Sequence, residues 1–143
     1  MLKTIHPLLN ADLLCVLAQM GHGDDLAIVD ANFPAATMAK HLVRSSSTST
    51  PVLEAVLTLM PLDDFVEAPV AVMKVVGAPD EIPETVREYQ AAVDKAEGRP
   101  IKMERLERFA FYERSKSAFA VVATTETRLY GVVIVKMGVI RPH

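Results

Sequence analysis

The stretch MGHGDDLAIVDANFP, Met20 to Pro34, decides how the rest of the chain is read. Gly21 and Gly23 flank His22, and glycine reaches backbone conformations that other residues resist, so a tight turn there leaves the imidazole projecting. Leu26–Val29 is an unbroken apolar run of the kind that forms a buried parallel strand. In open α/β sheets, ligands sit beyond the carboxyl ends of such strands, where Asp30 emerges. The stretch therefore predicts a histidine and an aspartate on rigid supports, both brought toward one cleft.

Upstream, Asn10–Met20 is predicted as a helix capped by Asn10, with Leu13, Leu14, Leu17 and Met20 at helical spacing. Its polar face is so narrow that both sides are expected to be covered, with Gly21 as its terminator. Downstream, His41–Arg44 is a short extended piece and Ser45–Thr50 a polar loop. A helix follows from Thr50-Pro51, burying Val52, Leu53, Val56, Leu57 and Met60. Val70–Val76 is the next strand, almost wholly apolar and hence central. Pro83–Ala96 is a surface helix with Val86, Tyr89, Val93 and Ala96 facing inward, closed by Gly98 and Pro100. Ile101–Leu106 alternates as a strand, and Glu107–Ser117 is a short helix expected to place Phe109 and Phe111 in the core. Ala118–Thr124 and Gly131–Met137 are two further strands. Their connection is too short for a crossover helix, which predicts an antiparallel hairpin. Alternating strands and helices give an α/β chain: a three-layer αβα sandwich on a mostly parallel sheet, with one antiparallel strand near the C-terminus.

At 143 residues the chain is read as one domain, residues 1–143, with enough length for a real core. Half its residues are hydrophobic, which points to surface buried against other copies of itself. A net charge of −3 supplies no basic patch and argues against nucleic acid. Cys15 sits in an apolar helical pattern and is expected to be a buried, inert thiol in a reducing setting. The opening MLKTIHPLL holds too short an apolar run for a signal peptide, and no stretch approaches the ~20 apolar residues of a membrane span. A cytoplasmic protein without membrane partners is the expectation.

Of the polar residues, His22 carries the sharpest signal. A histidine at a helix end often does no more than meet the helix dipole. Here the neighbouring glycines thin the packing around an imidazole that exchanges protons near neutral pH. Asp30 is either an ordinary turn former or, at a strand's carboxyl end, a carboxylate that accepts from sugar-type hydroxyls or orients an imidazole. Asp24 and Asp25 are expected as solvent-facing turn residues with at most a share in aligning His22. Arg108 and Tyr112 share a helix face at i, i+4, and Tyr130 precedes Gly131 in a position that suits a strand equally well. Metal-ligand spacing is absent among His6, His22, His41, His143 and Cys15. The Gly21–Gly23 turn leads into a strand, not the helix N-terminus of a phosphate cradle.

MLKTIHPLL, MGHGDDLAIVDANFPA and ERFAFYERSKSAFAVV together resemble the L-fucose mutarotase branch of the D-ribose pyranase/L-fucose mutarotase family, over nearly the full chain. The resemblance implies α/β subunits in rings stacked as decamers, sites at subunit contacts, and anomer interconversion of a free monosaccharide with neither cofactor nor metal. By motif it makes His22 the acid/base histidine and Asp30 a sugar-binding acid. It makes Arg108 the arginine that marks the fucose branch, and Tyr130, Gly131 and Val132 a further binding segment. There the usual Tyr-Gly-Asn stands as Tyr130-Gly131-Val132, and valine cannot supply an amide's hydrogen bonds. Two other readings stand beside it: a non-catalytic sugar-binding or transport accessory, and a pyranase acting on another sugar such as ribose, against which Arg108 leans.

Overall fold

The computed structural model describes all residues from Met1 to His143. In chain order its elements are α1 (Ala11–Gln19), β1 (Asp25–Val29), α2 (Ala35–Met38), β2 (Leu42–Arg44), α3 (Ser49–Leu57) and β3 (Val70–Met73), then α4 (Glu84–Glu97), β4 (Met103–Leu106), α5 (Arg108–Ser117), β5 (Ala120–Ala123) and β6 (Val133–Lys136). Helix ends fall where side chains satisfy orphan backbone groups. Asn10 Oδ1 accepts the Leu13 N–H at 2.9 Å, and the Glu107 carboxylate accepts from Phe109 and Ala110 at the start of α5. Such caps stabilise a helix by about 1 kcal/mol each. Gly98, at φ +70°, closes α4 in the left-handed conformation.

The six strands lie in the order β2-β5-β1-β6-β3-β4. β1 runs parallel to β5, β5 to β2, and β3 to β4, while β6 is antiparallel to both β1 and β3. Five strands therefore point one way and β6 points back. Because side chains alternate along a strand, Leu26 and Ile28 face one layer while Ala27 and Val29 face the other. The larger core packs α1, α3 and α4 on the first face through Leu13, Leu53, Val56, Tyr89 and Val93. The smaller packs α2 and α5 on the second through Ala35 and Phe111. Tyr89 and Phe111 are fully buried, each contributing about 1.5–3 kcal/mol by burial.

The expected hairpin is corrected by this order. β5 and β6 are antiparallel but not neighbours, because β1 is inserted between them and hydrogen-bonds to both. Other boundaries shift with local causes. α3 starts at Ser49, so Pro51 is its third residue, still within the turn where a missing N–H is harmless. α1 ends on an extended Met20, and the left-handed residue is Gly23, at φ +87°. Cys15 is exposed, since Leu13, Val16 and Leu17 take the sheet-facing side of α1 and leave the opposite side open in the single chain. Phe109 is exposed while Phe111 is buried: residues two apart on a helix point to opposite sides. In α4, Ala92 completes the buried face, and Ala96 lies exposed in the last turn. No helix is long and apolar enough to cross a membrane.

Candidate active site

The carboxyl edge of the sheet gathers the ends of four elements. Asp30 follows β1, Val76 follows β3, Arg108 follows β4 at the first turn of α5, and Tyr130–Val132 leads into the reversed β6. Between them opens a pocket of about 220 Å³ whose walls include Asp30, Phe33, Met73, Arg108, Tyr130 and Val132. That is below the ~300–1,000 Å³ usual for drug-sized ligands and suits one sugar ring. A larger groove of about 700 Å³ between α3 and α4 has Thr50 and Glu88 already bonded to each other at 2.7 Å.

Each pocket residue is held by its own local cause. Asp30 is buried, and its Oδ1 accepts the Asn32 N–H at 3.0 Å. Burial pushes its carboxyl above the ordinary aspartate value, against backbone N–H bonds from Asn32, Phe33 and Gly131. No side-chain cation pairs with this buried carboxylate. Arg108 Nε donates to Tyr112 Oη at 3.2 Å, so the i, i+4 spacing aims the guanidinium along the rim. Tyr130 has φ +59°, in a region that non-glycine residues rarely enter. Two bonds hold it there: its hydroxyl accepts the Val76 N–H and its carbonyl accepts the buried Thr85 hydroxyl, each at 2.9 Å. Gly131 is compulsory, since a Cβ would stand 2.6 Å from Glu126 Cγ and 3.1 Å from the Arg128 carbonyl. Val132 is buried in the smaller core and contributes an apolar wall.

Beneath the pocket lies an ionic cluster that pattern reading missed. Glu126, whose side chain is 3% exposed, takes Arg128 at 2.9 Å and the Ser49 hydroxyl at 2.8 Å; Ser49 also meets Tyr89 Oη at 2.6 Å. Arg128 reaches on to Glu88 at 2.5 Å. The Arg128 guanidinium, helped by Ser49, holds the Glu126 carboxyl down at about 2. Burial is the main cause that pushes the Tyr89 phenol upward. The Glu126 carbonyl accepts the Ala31 N–H at 2.8 Å, which ties this cluster to the Asp30 loop. Its members are scattered from Ser49 to Arg128, with no spacing to betray them.

His22 is not in this pocket. It precedes β1 whereas Asp30 follows it, so the two stand apart by the length of that strand, on the order of 20 Å at about 3.3 Å per residue. The glycine turn does project the imidazole, which is 40% exposed. Its Nε2 bonds to Asp63 Oδ1 at 3.0 Å, and the Phe65 ring stands edge-on at 4.7 Å between centroids. The carboxylate bonded to His22 is that of Asp63, not of Asp24 or Asp25. Asp24 accepts the Gly21 N–H at 2.8 Å, and Asp25 is ion-paired to Arg114 and Lys136. Both edges carry exposed apolar side chains: Val76, Phe109 and Leu129 near the pocket, Phe65, Val66 and Ile140 near His22. No group of three or more His, Cys, Asp or Glu residues is placed to hold a metal ion.

Residues 3–140 match the model of the RbsD / FucU transport protein family. The chain belongs to that family. It is 45% identical over 140 residues, 97% of each chain, to the L-fucose mutarotase of Actinobacillus pleuropneumoniae serotype 5b (strain L20). The fucose mutarotase of Streptococcus pneumoniae, solved in complex with L-fucose, superposes with a TM-score of 0.91 at 41% identity, covering 98% of this chain and 100% of that one. RbsD of Bacillus subtilis, solved with D-ribose, gives a TM-score of 0.74 over 99% and 100% of the two chains at 23% identity, a likeness of fold alone. Within the family, then, the αβα sheet with its reversed β6 is shared architecture.

Proposed function

We propose that this protein is a cofactor-free mutarotase that interconverts the α and β anomers of L-fucose or a closely similar monosaccharide. The observation that carries the reading is the carboxyl-edge pocket: a buried, cation-free Asp30 opposite an exposed Arg108, in a space the size of one sugar ring. Its support from relatives is the 45% identity to an L-fucose mutarotase along almost the entire chain. Mutarotation opens a hemiacetal and recloses it on the other face. The anomeric O1–H loses its proton, the O1 lone pair forms the C1=O1 bond, and the C1–O5 pair leaves onto O5, which is protonated. Rotation about C1–C2 and the reverse steps give the other anomer, with nothing consumed.

Asp30 and Arg108 hold hydroxyls by charge-assisted hydrogen bonds and fix a reactive pose. Tyr130 and Gly131 present backbone and ring edges, and Val132 with Met73 offers apolar contact to a sugar carbon. His22 moves the proton, a role typically worth about 10²–10⁴-fold for a positioned acid–base group. Since His22 lies at the opposite edge, we assign it to the pocket of an adjoining copy, with the apolar rims at the two edges forming the contact. A head-to-tail contact forms a ring when its rotation closes, and stacked pentameric rings, ten copies in all, are the assembly we propose. No membrane or nucleic acid enters this scheme, and a cytoplasmic location goes with it.

Co-expression tests the reading. His22→Ala and Asp30→Ala chains, each alone, fail to accelerate anomer exchange of L-fucose measured by NMR. Assembled together they regain activity, because some contacts then pair an intact His22 with an intact Asp30. Two inactive parents with no recovery on mixing would sink the shared site. Sugar binding without accelerated exchange by the unmodified protein would instead leave a sugar-binding accessory.

A further inference from the structure

We infer that Asp63 is the positioning residue for His22, and that it selects Nδ1 of the imidazole as the nitrogen that exchanges protons with the sugar. This deepens the proposed mutarotase reading and rests on it. Asp63 lies 41 residues from His22 in sequence, and nothing in its surroundings of Pro61-Leu62-Asp63-Asp64 marks it as functional. The contact is built by three segments that lock together. The Gly23 N–H donates to the Met137 carbonyl at 2.8 Å, and the Met137 N–H returns a bond to the Asp24 carbonyl at 2.8 Å. On the other side of the same tail, the Asp63 N–H donates to the Lys136 carbonyl at 3.0 Å and the Gly138 N–H to the Pro61 carbonyl at 2.8 Å. Lys136–Gly138 therefore fixes the backbones of His22's turn and of Asp63 with respect to each other. Gly138 is required for that approach, because a Cβ there would stand 2.5 Å from the Leu62 carbonyl oxygen and 2.9 Å from Asp63 Cα.

The side chains follow. Asp63 is nearly buried, its side chain 3% exposed, while His22 stands in front of it at 40%. Asp63 Oδ1 also accepts the Phe65 N–H at 3.0 Å, which ties the carboxylate to its own loop. The neighbouring cations are already engaged: Arg141 with Asp64 at 2.7 and 3.0 Å, Lys136 with Asp25 at 3.0 Å and with the Gly23 carbonyl at 3.1 Å. His22 is consequently the ionisable partner left to Asp63. An ionised carboxylate only accepts hydrogen bonds, so the nitrogen facing it carries the hydrogen. That nitrogen is Nε2. The neutral ring then presents its lone pair at Nδ1, which makes no hydrogen bond within the chain. In the exchange, the O1 proton passes to Nδ1 as C1=O1 forms and the C1–O5 pair moves to O5. The imidazolium, held by the Asp63 charge, returns a proton to O5.

The test uses the full-length assembly with ¹⁵N-labelled histidine. Long-range ¹H–¹⁵N spectra, with the His22 signals identified by their loss in His22→Gln, are expected to show Nε2 protonated and Nδ1 bare at neutral pH. In the near-isosteric Asp63→Asn, the single tautomer gives way to a mixture and kcat for fucose anomer exchange falls about 10²-fold, within the range a positioned acid–base group contributes. KM stays within about twofold, since the nearly buried Asp63 stands behind His22 and acts through it. Gly138→Ala, which touches neither residue's side chain, displaces Leu62–Asp63 and reproduces both effects in milder form. His22 protonated at Nδ1, or an unchanged kcat in Asp63→Asn, would overturn the inference. If His22→Gln itself retains full catalysis, the mutarotase assignment of His22 fails first; if that variant is dead while Asp63→Asn is fully active, only the positioning role fails.

Discussion

Arg128→Met removes the cation from the buried carboxylate that supports the pocket floor. In the native protein the Arg128 guanidinium, then the Ser49 hydroxyl, brings the Glu126 carboxyl from its ordinary 4.5 down to about 2. At about 1.4 kcal/mol per pH unit this is a contribution of about 3 kcal/mol to folding. The folded value lies below the unfolded one, so the contribution is fully present above pH 4.5 and disappears as pH falls toward 2. The expected deficit of Arg128→Met is smaller, about 1–2 kcal/mol at neutral pH, because Ser49 and the residue-128 N–H share in the lowering and solvent screens the 36% exposed guanidinium. It shrinks through the interval from 4.5 to 2, where Glu126 becomes neutral in both proteins. Urea unfolding at a series of pH values measures it, at one fixed protein concentration because self-assembly also stabilises. Sugar affinity falls in parallel, since the Glu126 carbonyl carries the Ala31 N–H beside Asp30. A deficit that stays constant from neutral pH down to about 3, or one under about 0.5 kcal/mol at neutral pH, would refute the reasoning.

Asp30→Asn is expected to raise thermal stability slightly while abolishing most fucose affinity by calorimetry. Burial lifts the folded carboxyl above its unfolded value, so ionised Asp30 costs stability at neutral pH. For the same reason, fucose affinity of the native protein declines on acidification at a pH above the ordinary aspartate value, which a titration of binding against pH detects. Gly131→Ala forces a methyl group to 2.6 Å from Glu126 Cγ. Overpacking of this kind costs about 1–3 kcal/mol, and both the unfolding midpoint and sugar binding are expected to drop.

What the residues dictated by themselves was the cast and its order. Apolar runs such as Leu26–Val29 and Val70–Met73, alternating with capped helices, require a covered parallel sheet, and a carboxylate directly after such a strand must emerge at its carboxyl edge. The helix read over Glu107–Ser117 likewise sets Arg108 in the first turn. These are local rules of period, capping and sterics, written in neighbouring residues. Strand order was beyond them: β6 pairs equally well, by pattern, beside β5 or across β1, and only packing of the whole sheet places it between β1 and β3. That choice delivers Tyr130–Val132 to Asp30 and puts His22 at the far edge. Asp63 beside His22, and the Ser49–Glu126–Arg128–Glu88 cluster beneath the pocket, are contacts between segments roughly 40 or more residues apart. No periodicity records such contacts, because the energy that fixes them arises only when the backbone has already brought the segments together.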